Sequence, residues 1–271
     1  MKKLGLCLGG GGARGAYQIG AALALDELGI FDQVQVFSGT SIGSVNACIL
    51  ASLGVQSSKR LWLDFPPDVL KSTENFFKRL IHEKMKLWDN GHYEIKELET
   101  LLETHLDLSA LMHKEVYITL SEGGNENEGI FGLIKANYHH VIKNDSKAVY
   151  VPVRTQKPED IIKMILASCS IPLVFPPVAI DEKNYYDGGI YDNVPLTPLI
   201  EAGCDTIIVI PLMFMDSASR HKHKEITLHP IRRRFGLGGI LNFDPKRSER
   251  LLELGYEDTI AYFTHNTLST E

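Results

Sequence analysis

Residues 4–29 are LGLCLGGGGARGAYQIGAALALDELG: an apolar run, a run of glycines and a long stretch of helix-forming residues. The run Leu4 to Leu8 is typical of a short buried strand, and Ala16 to Leu28 is typical of a helix that ends at Gly29. A strand joined to a helix by a tight loop is the building unit of parallel sheets. We therefore expect an α/β protein.

The same unit repeats directly downstream. Val34 to Phe37 predicts a second strand, and Ile42 to Leu53 predicts an apolar helix that stops at Gly54. Further apolar helices and strands alternate along the chain, at 93–106, 116–120, 149–153, 159–168 and 206–210. This alternation predicts a three-layer α/β/α fold with a mainly parallel central sheet.

The composition is that of an ordinary globular protein. The 271 residues are 44% hydrophobic and 23% charged, which is enough for a substantial core. With 28 Lys and Arg against 34 Asp and Glu, the net charge of −6 argues against a phosphate-neutralising surface, so we expect no nucleic-acid partner. The four cysteines lie far apart, without metal-ligand spacing, which favours free thiols in a reducing cytoplasm and no metal site.

The glycine loop Gly10-Gly11-Gly12-Ala13-Arg14-Gly15 has several interpretations. Its spacing matches the GxGxxG pattern of dinucleotide sites, but the second strand ends in Ser38-Gly39-Thr40-Ser41 and lacks the acidic residue that would bind the ribose. A P-loop is excluded because Ala16 and Tyr17 follow Gly15. The loop is otherwise a plain strand-to-helix turn, or an oxyanion hole in which several N–H groups converge at a helix N-terminus. The candidate oxyanion-hole residues are Gly10, Gly11, Gly12, Arg14 and Gly15, with Arg14 fixing the shape of the loop.

Ser41 is the candidate nucleophile. It lies in Gly39-Thr40-Ser41-Ile42-Gly43, a GxSxG pattern between a strand and a helix, where a serine is held on a strained turn with its hydroxyl exposed. Gly39 and Gly43 let the two backbones pass close together. The alternative is that Thr40 or Ser41 merely caps the helix.

Asp187 is the candidate general base. None of the ten histidines lies at the end of an apolar strand beside glycines, and His265 lies on a helix face among polar residues. Asp187 instead follows Tyr185 and Tyr186 and precedes Gly188 and Gly189, which permit a sharp turn. An aspartate can serve as a base if burial raises its pKa. The alternative is an Asp-Gly turn without chemistry.

Taken in this order, the three motifs resemble the patatin-like phospholipase family. The similarity covers about residues 4–210 and extends to the segments Ala167-Ser168-Cys169-Ser170-Ile171-Pro172, Phe175-Pro176-Pro177 and Asp192-Asn193-Val194-Pro195. It departs from the family pattern at Ser170, where a small apolar residue is frequent, and no motif is recognisable beyond Pro211.

The resemblance implies a patatin fold and a Ser41–Asp187 dyad that cleaves lipid acyl esters, such as those of phospholipids or lysophospholipids, without metal or cofactor. It also implies N–H groups around Gly11, Gly12 and Ile42 at the oxyanion. We expect an acyl-hydrolase domain over 4–211, then a basic surface loop (212–247) and a C-terminal helix that pack on the same domain. The alternatives are a dinucleotide-dependent oxidoreductase and a lipid-binding module without activity.

Two basic segments predict peripheral membrane contact. Residues 76–88 alternate apolar pairs with four Lys or Arg, as an interfacial helix does, and residues 229–243 place Arg232-Arg233-Arg234 beside Phe235. For each segment the alternative is a half-buried element with a solvated basic face.

Overall fold

The computed structural model describes residues 2–64, 98–122, 148–171, 177–181, 183–213, 225–240 and 242–268. Within these residues eight strands form one sheet. They are β1 (Leu4–Leu8), β2 (Val34–Thr40), β3 (Glu115–Glu122), β4 (Ala148–Pro152), β5 (Val178–Ile180), β6 (Lys183–Asp187), β7 (Thr206–Ile210) and β8 (Thr227–Pro230). The order is β5-β6-β3-β2-β1-β7-β8, and β4 pairs with β3.

The sheet is mainly parallel, as predicted. The run β3-β2-β1-β7-β8 is parallel, and the pairs β3–β4, β3–β6 and β5–β6 are antiparallel. Residues 98–105 are helical. The other helices are α1 (Ala16–Glu27), α2 (Ile42–Leu53), α3 (Val55–Leu63), α4 (Leu108–Met112), α5 (Pro158–Ser168), α6 (Thr197–Glu201) and α7 (Pro245–His265). Among the described helices, none is both long and apolar enough to cross a membrane.

Both faces of the sheet are covered, and the larger core lies on the face of α1, α2 and α5. Leu6 and Leu8 of β1 point into that core. Cys7, between them, points to the opposite face, where it packs with Val194 and Leu199 of the α6 region. This alternation follows from the two-residue period of a strand and produces the three layers.

The C-terminal helix α7 packs closely on α1. A Cβ atom at Gly20 of α1 would meet the carbonyl oxygen of Leu252, and one at Gly255 of α7 would meet the carbonyl oxygen of Tyr17. The buried hydroxyl of Tyr17 donates to Asp258 Oδ2 at 2.9 Å. The two glycines therefore allow a close backbone crossing that ties the end of the chain to its first helix.

Part of the expected loop at 212–247 is a strand. Thr227–Pro230 forms β8 and pairs in parallel with β7, so the expectation of an irregular loop was wrong for these residues. The hydrogen bonds between β7 and β8 satisfy backbone groups along the apolar edge of β7. The sequence did not predict β8 because its four residues are partly polar and partly apolar and show no strand periodicity. His229 of β8 is buried against Tyr262 and Phe263 of α7.

Candidate active site

The glycine loop and Ser41 lie side by side at one edge of the sheet. β1 ends at Leu8 opposite Gly39 of β2, so the carboxyl ends of two adjacent parallel strands open into these two segments. Such an edge is where open α/β sheets place their ligands.

Ser41 has a strained backbone. Its φ of 55° and ψ of −128° lie in a region that non-glycine residues rarely adopt. A Cβ atom at Gly39 would meet the carbonyl of Gly43, and one at Gly43 would meet the carbonyl of Leu8. Both glycines are therefore required by the close passage of strand and helix, and the turn presents Ser41 at the N-terminus of α2.

Ser168, at the end of α5, supports the Ser41 turn through hydrogen bonds. The Ser41 N–H donates to Ser168 Oγ at 2.9 Å, and Ser168 Oγ lies 2.8 Å from both Ser44 Oγ and the Thr119 carbonyl oxygen. All three serines are buried. Sequence reasoning assigned Ser168 no individual role, and its place in the segment 167–172 was the one signal for it.

Strand β3 sets the positions of Ser41 and Asp187. β2 pairs with residues 115–119 of β3 and β4 pairs with 117–121, so these two strands lie on opposite edges of β3. β6 pairs with residues 120–122 of β3, and two of these residues also pair with β4. β6 therefore lies on the edge of β3 opposite β4, where it follows the end of the pairing with β2. Thr40 is opposite Thr119 and Asp187 is opposite Leu120, which brings Ser41 and Asp187 together although 146 positions separate them in the chain.

Asp187 is buried beside Ser41. Its Oδ1 accepts from the Gly189 N–H at 2.7 Å. Only 6% of the residue is exposed. Burial raises the pKa of Asp187 to about 6, and the nearby Ser41 side chain and the Gly189 N–H oppose that rise.

The N–H groups of the glycine loop divide into two sets. Those of Gly10 and Ala13 donate to the carbonyl oxygens of Asn193 at 3.1 Å and Ile240 at 2.7 Å. Within the described part of the chain, the N–H groups of Gly11 and Gly12 have no acceptor. As far as the described residues are concerned, these two groups are therefore the candidates for binding a ligand.

Arg14 and Gly15 support the loop through contacts with other parts of the fold. The Arg14 guanidinium donates to the carbonyl oxygens of Gly238 at 2.7 Å and Leu212 at 3.0 Å. A Cβ atom at Gly15 would lie 2.6 Å from Ile42 Cγ1 and 2.8 Å from the Trp62 ring. Arg14 therefore holds the loop against the C-terminal part of the chain, and Gly15 allows close packing on α2 and α3.

A family model for patatin-like phospholipases matches residues 6–200. The chain belongs to the patatin-like phospholipase family. The prediction made from the three motifs is confirmed at this level, and the match decides against the dinucleotide-dependent oxidoreductase.

Curated relatives agree with the family. The chain is 26% identical over 226 residues to the lysophospholipase NTE1 of Cryptococcus neoformans, covering 80% of this chain but 12% of that protein. It is 25% identical over 198 residues to the probable lipid hydrolase 463L of Invertebrate iridescent virus 6, covering 70% and 61% of the two chains. The chain thus spans about an eighth of the NTE1 relative. Among solved structures, VipD of Legionella pneumophila aligns with a TM-score of 0.55 at 15% identity, covering 97% of this chain and 67% of that one, which shows a shared fold.

Cys169 is a further side chain at this patatin-like site. Its thiol lies close enough to the Ser41 side chain and to Asp187 for both to act on the pKa of the thiol. Burial, with a smaller contribution from Asp187, raises the pKa of the Cys169 thiol, so the thiol stays neutral. Sequence reasoning identified Cys169 only as a free thiol, which it is.

A buried amide network supports the glycine loop of this family member. Gln18 Nε2 donates to the carbonyl oxygen of Gly9 at 2.8 Å, and Asn46 Nδ2 donates to that of Gly15 at 3.0 Å. Asn46 also donates to Gln18 Oε1 at 2.8 Å and accepts from Trp62 Nε1 at 2.9 Å. A satisfied buried network of this kind fixes both ends of the loop. In the described ranges, no three His, Cys, Asp or Glu side chains form a group that would hold a metal ion.

Proposed function

We propose that the protein is a serine acyl hydrolase that cleaves lipid acyl esters through Ser41, Asp187 and an acyl-enzyme intermediate. One observation carries the proposal: the sheet register places a buried carboxylate beside a serine on a strained turn, close enough for the serine side chain to act on the pKa of the carboxylate. The N–H groups of Gly11 and Gly12, which have no acceptor among the residues that the structure describes, lie in the adjacent loop. Nucleophile, base and oxyanion donors are the three parts that acyl transfer requires.

In the proposed first step, Ser41 Oγ attacks the acyl carbonyl carbon while Asp187 takes the hydroxyl proton. The carbonyl electron pair moves to oxygen, and the N–H groups of Gly11 and Gly12 stabilise that oxyanion. The C–O bond to the alcohol then breaks, and Asp187 returns its proton to the leaving oxygen. Asp187 next takes a proton from a water that attacks the acyl-enzyme carbonyl carbon. The bond from Ser41 Oγ to the acyl carbon breaks, Asp187 returns the proton to Ser41 Oγ, and the fatty acid is released.

We propose phospholipids or lysophospholipids as the substrate class. The support is the family and the printed names of its members, which include lysophospholipases and a probable lipid hydrolase. Since the chain spans a small part of the NTE1 relative, the substrate assignment rests on this one domain.

We also propose peripheral membrane contact at residues 229–243, on narrower grounds than the sequence suggested. Arg233 donates to the Leu212 carbonyl oxygen at 2.6 Å, and Arg234 pairs with Asp258 and Glu257. Phe235 remains 64% exposed, beside the exposed Arg232. The contact would therefore rest on Phe235 and Arg232, at a cytoplasmic membrane surface. The second expected segment, 76–88, lies outside the described residues.

A fluorophosphonate tests the proposed function. Intact-mass spectra should show one adduct on the protein, mapped to Ser41, no adduct on Ser41→Ala and slow labelling of Asp187→Asn. A protein that binds lipid vesicles but never forms the adduct, with lipid or detergent present, would instead be a lipid-binding module without activity.

A further inference from the structure

Asn193 is hydrogen-bonded to both the backbone N–H and the backbone carbonyl of Gly10 in the glycine loop. Its carbonyl oxygen accepts from the Gly10 N–H at 3.1 Å, and its side-chain Nδ2 donates to the Gly10 carbonyl oxygen at 3.3 Å. Gly10 in turn lies against the nucleophile, since a Cβ atom there would be 3.3 Å from Ser41 Cβ. The position of Asn193 therefore sets where the loop runs past Ser41.

The other side of the same amide faces the turn that carries Asp187. An ideal Cβ position at Gly189 lies 3.0 Å from Asn193 Oδ1 and 2.9 Å from Asp187 Oδ1. Because both oxygens are within 3.0 Å of one point, they are no more than about 6 Å apart. A neutral amide oxygen thus lies next to the base, where a charged group would act on it directly.

The neighbouring residue, Asp192, anchors this turn to the sheet. Its carbonyl oxygen accepts from Thr40 Oγ1 at 2.9 Å, and its carboxylate accepts from the Tyr150 hydroxyl at 2.6 Å and the Val194 N–H at 3.2 Å. Thr40 is the residue before the nucleophile. Asn193 is therefore held by β2 and β4, and the glycine loop is positioned relative to a rigid part of the fold.

We propose that Asn193 is a positioning residue for acyl transfer, which aligns the Gly11 and Gly12 N–H groups with Ser41 and keeps the surroundings of Asp187 neutral. The inference rests on the proposed function and deepens it. It makes two predictions that can be tested separately. Removing the Nδ2 donor of Asn193 should misalign the oxyanion donors. Placing a negative charge at the position of Asn193 Oδ1 should raise the pKa of Asp187.

The test compares Asn193→Ala and Asn193→Asp on a soluble ester, p-nitrophenyl butyrate, across pH. Asn193→Ala should lower kcat by about 10- to 100-fold with little change in KM, because oxyanion alignment acts in the transition state. The pH at which the activity of Asn193→Ala falls on the acidic side, the acidic limb of its pH profile, should be the same as in the unmodified protein. Asn193→Asp should move that limb upward by about one pH unit, because a second carboxylate within about 6 Å disfavours ionisation of Asp187.

Asn266→Asp, an exposed change at the end of α7, is the matched control and should leave both kcat and the limb unchanged. Thermal melting establishes whether each variant is folded. If Asn193→Asp does not fold, the kcat of Asn193→Ala is the measurement that decides on the inference. A wild-type kcat for Asn193→Ala, or an unshifted limb for folded Asn193→Asp, would overturn the inference. Failure of the proposed function looks different, because then the unmodified protein would form no Ser41 adduct.

Discussion

Asp187 combines two properties that oppose each other at the scale of single residues. Its burial disfavours the charged form that a general base needs, and that same burial makes the carboxylate a stronger base than an exposed aspartate. Ser41 has a similar conflict, since its left-handed backbone costs about 1–3 kcal/mol and yet directs its hydroxyl toward the carboxylate. In the proposed reaction, both residues therefore lose stability in favour of chemistry.

Asp187→Asn should make the protein more stable at neutral pH. The folded pKa of about 6 lies above the ordinary 3.8, so ionisation of Asp187 penalises the folded state as pH rises from about 4 through 6. Asparagine removes that penalty and can still accept from Gly189. Urea unfolding at pH 7 should show a gain of about 2–3 kcal/mol over the unmodified protein. At pH 3, below both pKa values, the gain should vanish, and equal stabilities at pH 7 would contradict the pKa shift.

The same titration should control turnover. Since the base must be ionised, kcat/KM on a soluble short-chain ester should fall about tenfold per pH unit below a limb near pH 6. Stopped-time assays between pH 4.5 and 8 measure this limb. A limb near pH 4 would mean that Asp187 titrates like an exposed carboxylate, against its burial.

At the scale of elements, the helices that carry the site depend on close crossings. α2 passes β1 at Gly43, and α1 passes α7 at Gly20 and Gly255. Sequence patterns predicted β1, α1 and α2 because each is mainly apolar and is followed by a glycine that stops it. They missed β8, whose four residues are paired by the edge of β7 and not by a periodicity of their own.

Gly20→Ala should destabilise the packing of α7 on α1. Alanine favours helix by about 1 kcal/mol, but the added methyl meets the Leu252 carbonyl oxygen, and forcing the helices apart costs more. Urea unfolding should show a net loss of about 1–3 kcal/mol. The matched change Gly236→Ala, at an exposed position with no atom within 4 Å, should stay within about 0.5 kcal/mol of the unmodified protein. A stabilised Gly20→Ala would contradict the close crossing.

At the scale of the whole molecule, the sequence predicted the class of fold and the three motifs, but not how they meet. GxSxG and Asp-Gly-Gly are local patterns, and each forces its own turn. The supports are distant in the chain: Ser168 bonds Ser41, Asn193 bonds Gly10, and Arg14 bonds Gly238. No local pattern encodes such pairings, because they arise only once the sheet order is set.

The proposed membrane contact depends on the surface of the whole molecule, and a substitution of Phe235 tests it. Phe235→Ser should weaken binding to vesicles of mixed zwitterionic and anionic phospholipid by roughly three- to tenfold, because an exposed ring no longer enters the interface. Vesicle co-sedimentation measures the binding, and p-nitrophenyl butyrate turnover should be unchanged. Leu28→Ser removes another exposed apolar side chain and serves as the control. Equal losses in the two variants would show that Phe235 has no special part in the contact.

The shared edge of β3 has a consequence for how the protein is studied. Ser41 follows the residue opposite Thr119, and Asp187 is opposite Leu120, so both are indexed to successive positions of one strand. A slip of β6 by a single residue would turn the Asp187 side chain to the other face of the sheet. Under the proposed function, catalytic turnover is therefore a direct reporter of strand alignment: an active sample would have assembled β2, β3 and β6 in the native register, which a circular dichroism spectrum cannot establish.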